Sequence, residues 1–177
     1  MRITGGVLKN RIVVCPKGII RPAMDRMRES IFSILGNIQR LSFLDLFSGS
    51  GICALEAASR GAFPVTLVEK DQIKFPTILK NVSISPKRIE CKRISVELYI
   101  KRNKETFDII YMDPPFRYKF HSCLLKDISL SCSIKKGSLI LLHRSKETVI
   151  DVIEKLEKLD ERHYGGSIVD FYKVVFL

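Results

Sequence analysis

The residues best suited to chemistry in this chain of 177 residues end one apolar stretch, Phe107-Asp108-Ile109-Ile110-Tyr111-Met112-Asp113-Pro114-Pro115-Phe116. Two successive prolines fix the backbone and remove two N–H donors. What remains is a rigid display of acceptors, the Asp113 carboxylate and the Pro114 carbonyl. An exocyclic amine of a nucleobase offers two N–H donors. Its lone pair is delocalised into the ring, so it is a poor nucleophile. Two fixed acceptors can hold such an amine and pull charge toward its nitrogen, so that positioning and electrostatics supply the catalysis. Phe116 offers a face on which an unstacked base can lie. The plain alternative is a proline-terminated strand with a core phenylalanine.

A second constellation lies upstream in Phe43-Leu44-Asp45-Leu46-Phe47-Ser48-Gly49-Ser50-Gly51, followed by an apolar helical stretch. A strand, a glycine turn and a helix place a ligand at the carboxyl edge of a sheet. Gly49 and Gly51 let the backbone approach that ligand with no Cβ in the way. The spacing Gly49-x-Gly51-x-x-Ala54 also fits a dinucleotide fingerprint. Asp45 argues for a different cofactor, because a carboxylate opposes a pyrophosphate but welcomes the ammonium and sulfonium of S-adenosylmethionine. Capping of nearby amides is the other use open to Asp45. One strand later comes Val68-Glu69-Lys70-Asp71. Glu69 can accept hydrogen bonds from both hydroxyls of a ribose, as either nucleoside cofactor requires. Asp71 suits a helix N-cap.

These residues need a frame. Residues 1–22 read as a β-rich arm in which Gly5-Gly6 turns a hairpin and residues 11–14 form a strand. Residues 25–35 read as a helix with Met27, Ile31, Ile34 and Leu35 on its apolar face and Arg26, Arg28 and Glu29 mostly off it. From residue 43, strands (43–47, 65–69, 89–92, 107–113, 138–143) alternate with helices (52–60, 73–81, 96–101, 121–132, 147–159). Two final strands flank Gly165-Gly166 within residues 162–177. Such alternation predicts an α/β fold, a mostly parallel sheet with helices on both faces. One domain over 1–177 is expected, with the arm at 1–22, the helix at 25–36 and the core at 43–177.

The composition narrows the partners. Thirty Lys and Arg against 19 Asp and Glu give a net charge of +11, which favours polyanions. The excess concentrates in residues 1–30, with seven basic residues against two acids, and in 72–104, with nine against two. The five cysteines are widely spaced without a Cys-x-x-Cys pair, and the three histidines form no cluster. Neither a metal site nor a disulfide framework is expected. No apolar run approaches the roughly 20 residues of a membrane span, and the first ten residues lack a signal-peptide core. A cytoplasmic protein without a membrane partner is expected.

The Asp-Pro-Pro-Phe tetrapeptide after an Asp-Leu-Phe-Ser-Gly-Ser-Gly loop resembles that of amino-directed methyltransferases. Three further blocks extend the likeness: Met1–Gly6, the Arg21-Pro22…Asp25-Arg26-Met27-Arg28-Glu29…Phe32 block, and Tyr164-Gly165. Together they resemble the bacterial 16S ribosomal RNA guanine-966 N2-methyltransferase family over nearly the whole chain. The resemblance implies a Rossmann-like seven-stranded sheet with an antiparallel C-terminal strand. It also implies S-adenosylmethionine as donor and S-adenosylhomocysteine as product. Asp45, Phe47, Ser48, Gly49, Ser50 and Gly51 would then hold the methionine end and Glu69 the ribose, with Lys70 also bordering the cofactor. Asp113, Pro114, Pro115 and Phe116 would receive guanine. The basic residues Arg2, Lys9 and Arg11 would meet 16S rRNA, and Arg21, Arg26 and Arg28 would hold that RNA or shape the cofactor pocket, in an assembling small subunit, with the enzyme a monomer. Where the family usually carries a Gly-Asp pair facing the cofactor's adenine amine, this chain has Arg93-Ile94-Ser95; the Ser95 hydroxyl can still accept one hydrogen bond. Three other functions remain open on the residues alone: an adenine N6 methyltransferase, a nicotinamide oxidoreductase, and a non-catalytic RNA-binding protein on the same scaffold.

Overall fold

The structure, a computed structural model, describes residues 1–16 and 25–176; Arg21 lies outside the described residues. Twelve elements follow one another: α1 (Asp25–Leu35), β1 (Phe43–Leu46), α2 (Ile52–Ser59), β2 (Val65–Val68), α3 (Phe75–Val82), β3 (Ile89–Lys92), α4 (Val96–Arg102), β4 (Ile109–Met112), α5 (His121–Ser129), β5 (Leu139–Ser145), β6 (Leu156–Tyr164) and β7 (Ser167–Val174). The strands form one sheet in the order β3-β2-β1-β4-β5-β7-β6. The first five are parallel, and β7 runs antiparallel to both its neighbours. The expected seven-stranded α/β sheet is present.

Strands β1, β2 and β4 are buried at every position, as parallel strands covered on both faces must be. Successive side chains alternate between the faces. Phe43, Val65, Leu67, Ile109, Tyr111 and Leu141 join a core with α1, α2, α3 and the arm. Leu44, Leu46, Val68, Ile110, Met112, Ile140 and Leu142 join the opposite core with α4 and α5.

Three expectations need correction. The arm is not a two-glycine hairpin with a strand at 11–14. It is a loop through residues 5–10 closed by a single antiparallel bridge, Arg2 to Ile12, with Ile3 N–H donating to Arg11 O at 3.0 Å and Asn10 N–H to Ile3 O at 2.9 Å. The arm takes its shape from α2, because Val7 N–H donates to Ser59 O at 2.8 Å and Leu8 N–H to Ser59 Oγ at 2.8 Å. Gly6 sits at φ 74°, and a Cβ built there would lie 1.9 Å from Ser59 O. Only glycine allows that approach.

The buried face of α1 is Met27, Arg28, Ile31 and Phe32, while Ile34 is exposed. The helix is rotated relative to expectation because Arg28 has a buried partner, described below.

Residues 147–159 are not a helix. Leu156–Leu159 belong to β6, where Leu156, Glu157 and Lys158 pair with β7 and Leu159 sits at a register shift. The remainder, with β-branched Thr148, Val149, Ile150, Val152 and Ile153, is irregular. Branching at Cβ restricts χ1 against a helical turn and weakens helix formation. Ile150 and Ile153 pack on the second core while Val149 and Val152 stay exposed. No helix among the described residues is long and apolar enough to cross a membrane.

Candidate active site

The carboxyl ends of four neighbouring strands, in the order β2-β1-β4-β5, each carry a polar residue on the face that holds α2. Alternation from Val65 and Leu67 leads to Glu69, from Phe43 to Asp45, from Ile109 and Tyr111 to Asp113, and from Leu139 and Leu141 to His143. All four line one cavity of about 700 Å³, within the size range of small-molecule sites.

Asp45 is 1% exposed. Its Oδ2 accepts from Ser48 Oγ at 2.6 Å and from Ala54 N–H at 3.1 Å. The carboxylate therefore does cap an amide in the first turn of α2, and it also forms part of the cavity wall. Burial drives its pKa up to about 7, against the pull of the bonds from Ser48 and Ala54. Glu69 shapes the glycine loop, since its Oε2 accepts from Gly49 N–H at 2.9 Å and its Oε1 from Asp71 N–H at 2.9 Å. Asp71 accepts from Ile73 N–H at 2.9 Å, which holds the turn that precedes α3; the helix N-cap expected at Asp71 falls instead at Lys74.

The loop between β1 and α2 is held in uncommon geometry. Phe47 has φ 60°, a left-handed conformation rare outside glycine. It meets Tyr118 edge-on at 5.1 Å between ring centroids. Gly49, also left-handed, faces open space: a Cβ built there would meet nothing nearer than Phe47 O at 3.9 Å. Gly51 differs from its neighbours. It is absent from the cavity lining, and it faces Val82, Ile78 and Leu67 at ordinary contact distances. Its φ of 79° turns the chain into α2.

Asp113, Pro114, Pro115 and Phe116 all line the cavity, as do Phe47, Ser48, Ser50 and the exposed Lys70. Ser95 does not. Its Oγ caps α4 by accepting from Leu98 N–H at 3.3 Å, and the next two residues, Val96 and Glu97, reach the wall instead. Burial alone would raise the pKa of Glu97, but bonds from its own amide, Tyr118 and Ser95 outweigh it and hold the carboxylate below its usual range. The Tyr118 hydroxyl donates to Glu97 Oε1 at 2.9 Å and ties the segment after Phe116 to α4.

The basic residues separate. Arg2, Lys9, Arg11 and Arg26 are exposed. Arg28 is 2% exposed and cannot meet an RNA phosphate. Its Nε lies 3.2 Å from Glu56 Oε2, its Nη2 2.9 Å from Asp25 Oδ1, and it also donates to Arg2 O. Glu56, fully buried, further accepts from Thr4 N–H at 2.8 Å and Arg60 Nε at 2.9 Å. Arg28 thus joins the arm, α1 and α2, and it contributes to the cavity wall.

The residue types alone did not reveal His143. Its Nδ1 lies 2.7 Å from Asp113 Oδ1, its side chain is 5% exposed, and its ring meets Phe116 at 6.1 Å and 60°. No motif marks Cys53 or Tyr111 as a site residue, yet both line the cavity, and burial pushes the pKa of each well above its usual value. The available signal was positional. Asp113 and His143 sit one step beyond Met112↔Leu142, the last paired register of β4 and β5.

Comparison with known proteins follows the same lines. A family model described as "Conserved hypothetical protein 95" matches residues 1–173. Among known sequences, the chain is 30% identical over 175 residues to ribosomal RNA small subunit methyltransferase D of Haemophilus influenzae, spanning 93% of this chain and 89% of that one. It is 31% identical over 136 residues to the protein of that name from Buchnera aphidicola, spanning 75% and 71%. Among solved structures, the yhhF protein of Escherichia coli superposes with a TM-score of 0.89 at 25% identity, covering 99% of this chain and 98% of that one.

Proposed function

The chain belongs to the family described as Conserved hypothetical protein 95, and on that footing we propose that it transfers a methyl group from S-adenosylmethionine to the exocyclic N2 amine of a guanine in small-subunit ribosomal RNA. The relatives named ribosomal RNA small subunit methyltransferase D support the substrate class. The observation that carries the chemistry is the placement of Asp113-Pro114-Pro115-Phe116 on the same cavity as Asp45, Gly49 and Glu69.

The cavity residues fit the donor. The space over Gly49 would be filled by any side chain at that position. Asp45 presents a buried carboxylate suited to an ammonium, and each Glu69 oxygen retains a lone pair for a ribose hydroxyl beyond the amide it already accepts. Lys70, Val96 and Glu97 extend that wall. When bound, the donor supplies an electrophilic methyl on a sulfonium.

The chain's own residues do the rest. Asp113 Oδ1 is engaged by His143, which leaves Oδ2 and the Pro114 carbonyl to accept the two N–H groups of the amine. Pro115 removes a competing donor and stiffens the turn. Phe116 supplies the stacking face. The hydrogen-bonded Asp113 carboxylate is the group placed to take the proton that the methylated amine releases. Transfer is direct, because the Cys53 thiol is held protonated by burial and is no nucleophile. The substrate is an assembling small subunit, met by the exposed Arg2, Lys9, Arg11 and Arg26.

Tritiated methyl transfer onto unmodified ribosomal RNA and onto small-subunit particles, with nucleoside analysis, tests this reading. N2-methylguanosine is expected. N6-methyladenosine would reassign the base, and no transfer to either substrate would overturn the reading.

A further inference from the structure

His143 stands out in its surroundings. It lies within β5 after four wholly apolar residues, Leu139-Ile140-Leu141-Leu142, and it is 4% exposed. Its Nε2 is buried and has no hydrogen-bond partner. Leucine at this position would bury no polar atom, and a buried nitrogen left unpaired calls for a compensating role. The compensation lies at the other nitrogen. Asp113 Oδ1 is 2.7 Å from Nδ1, and an ionised carboxylate can only accept. Nδ1 is therefore the donor in this pair.

We propose that His143 is the positioning residue of the methyl-transfer centre: its Nδ1–H holds one oxygen of Asp113 and thereby aims the other at the amine. The assignment rests on the methyltransferase reading given above. Asp113 alone has a side chain about one-third exposed, at 32%, on the last residue before two prolines. Its backbone is fixed, yet its carboxylate could rotate about χ1 and χ2. His143 comes from the neighbouring strand, one register step beyond Met112↔Leu142, so the sheet itself sets the reach of the imidazole. The same ring meets Phe116 edge-on. One side chain thus braces both the acceptor of the amine and the surface beneath the base.

Three variants separate positioning from simple packing. His143→Asn places an amide N–H near the Nδ1 position, His143→Gln reaches toward Nε2 instead, and His143→Leu fills volume without a donor. A displacement of about 1 Å at such a centre costs on the order of 100-fold. The full-length enzyme is assayed on ribosomal RNA for kcat and for KM of each substrate, with S-adenosylhomocysteine affinity measured by calorimetry. We expect kcat to fall about 100-fold in His143→Gln and His143→Leu, while His143→Asn stays within about tenfold of wild type and cofactor affinity is unchanged in all three. Wild-type kcat in His143→Leu, or an Asn variant no better than Gln, would overturn the inference. So would a loss of cofactor affinity equal to the loss of kcat. A measurement independent of turnover is nitrogen-15 NMR of histidine-labelled protein. A protonated Nδ1 on His143 that shifts in Asp113→Asn is expected; an Nδ1 that carries no proton overturns the proposal whatever the RNA assay shows. If the wild type transfers no methyl group while this resonance is present, the methyltransferase reading has failed and the pairing has not.

Discussion

Acidification should weaken binding of S-adenosylmethionine and S-adenosylhomocysteine through Asp45. Its carboxyl is 1% exposed, and burial raises its pKa to about 7. Both ligands carry an ammonium that pairs with the ionised form only. Below the pKa, each pH unit adds about 1.4 kcal/mol for ionising the group before the ligand can bind. At about pH 5.5 the deficit is roughly 2 kcal/mol, or on the order of 30-fold in Kd, relative to the limiting value above the pKa. The sign in the free protein follows from the same shift. A folded-state pKa raised above the unfolded value of about 3.9 means that Asp45 contributes most stability below about pH 4 and that this is lost as pH rises through 7, on the order of 4 kcal/mol in all. Ligand offsets that loss, so its stabilising effect on melting should grow between about pH 5.5 and 7.5. Calorimetric titration with S-adenosylhomocysteine over that range, in two buffers of different ionisation enthalpy, reads both quantities. About one proton should be released per ligand bound at the acid end, and Asp45→Asn should bind weakly with little pH slope. A wild-type Kd that is flat over the range, or the same slope in Asp45→Asn, would show that Asp45 does not meet the ammonium.

The other predictions concern separate parts of the molecule. Asp113→Ala should lower kcat by about 100-fold or more while changing S-adenosylhomocysteine affinity little; equal losses in both would remove Asp113 from the transition state. Arg28→Met should destabilise the fold by about 3 kcal/mol in chemical denaturation, because Glu56 loses a buried partner. The folded Arg28→Met fraction should keep the wild-type salt dependence of RNA binding, whereas the exposed Arg26, reversed to Glu, should reduce that slope by about 1. Gly6→Ala should cost roughly 2 kcal/mol, since the new Cβ meets Ser59 O in a left-handed turn. Faster amide exchange at Val7 and Leu8 would report the loosened arm; unchanged exchange and melting would show that the contact is not tight.

The sequence by itself determined those parts of the site that are contiguous in the chain. Asp113-Pro114-Pro115-Phe116 is a rigid set of acceptors because of its own prolines, and the Phe47–Gly51 loop turns because glycine tolerates positive φ. Alternating apolar stretches were enough to place the parallel strands and the helices between them. Where neighbours in space were distant in sequence, local pattern was silent. Arg28 read as a surface helix residue until Glu56, 28 positions away, was found to bury it. Residues 147–159 had helical spacing, but Leu156, Glu157 and Lys158 pair with β7. His143 carried no motif at all; strand order placed it beside Asp113, and alternation turned both toward one face. Asp45 shows the division within a single residue. Its type announced a possible cation partner. Its pKa of about 7 comes mainly from burial beneath α2, with Asp113 and Glu69 adding to it, and such causes belong to the packed surroundings and not to the residue.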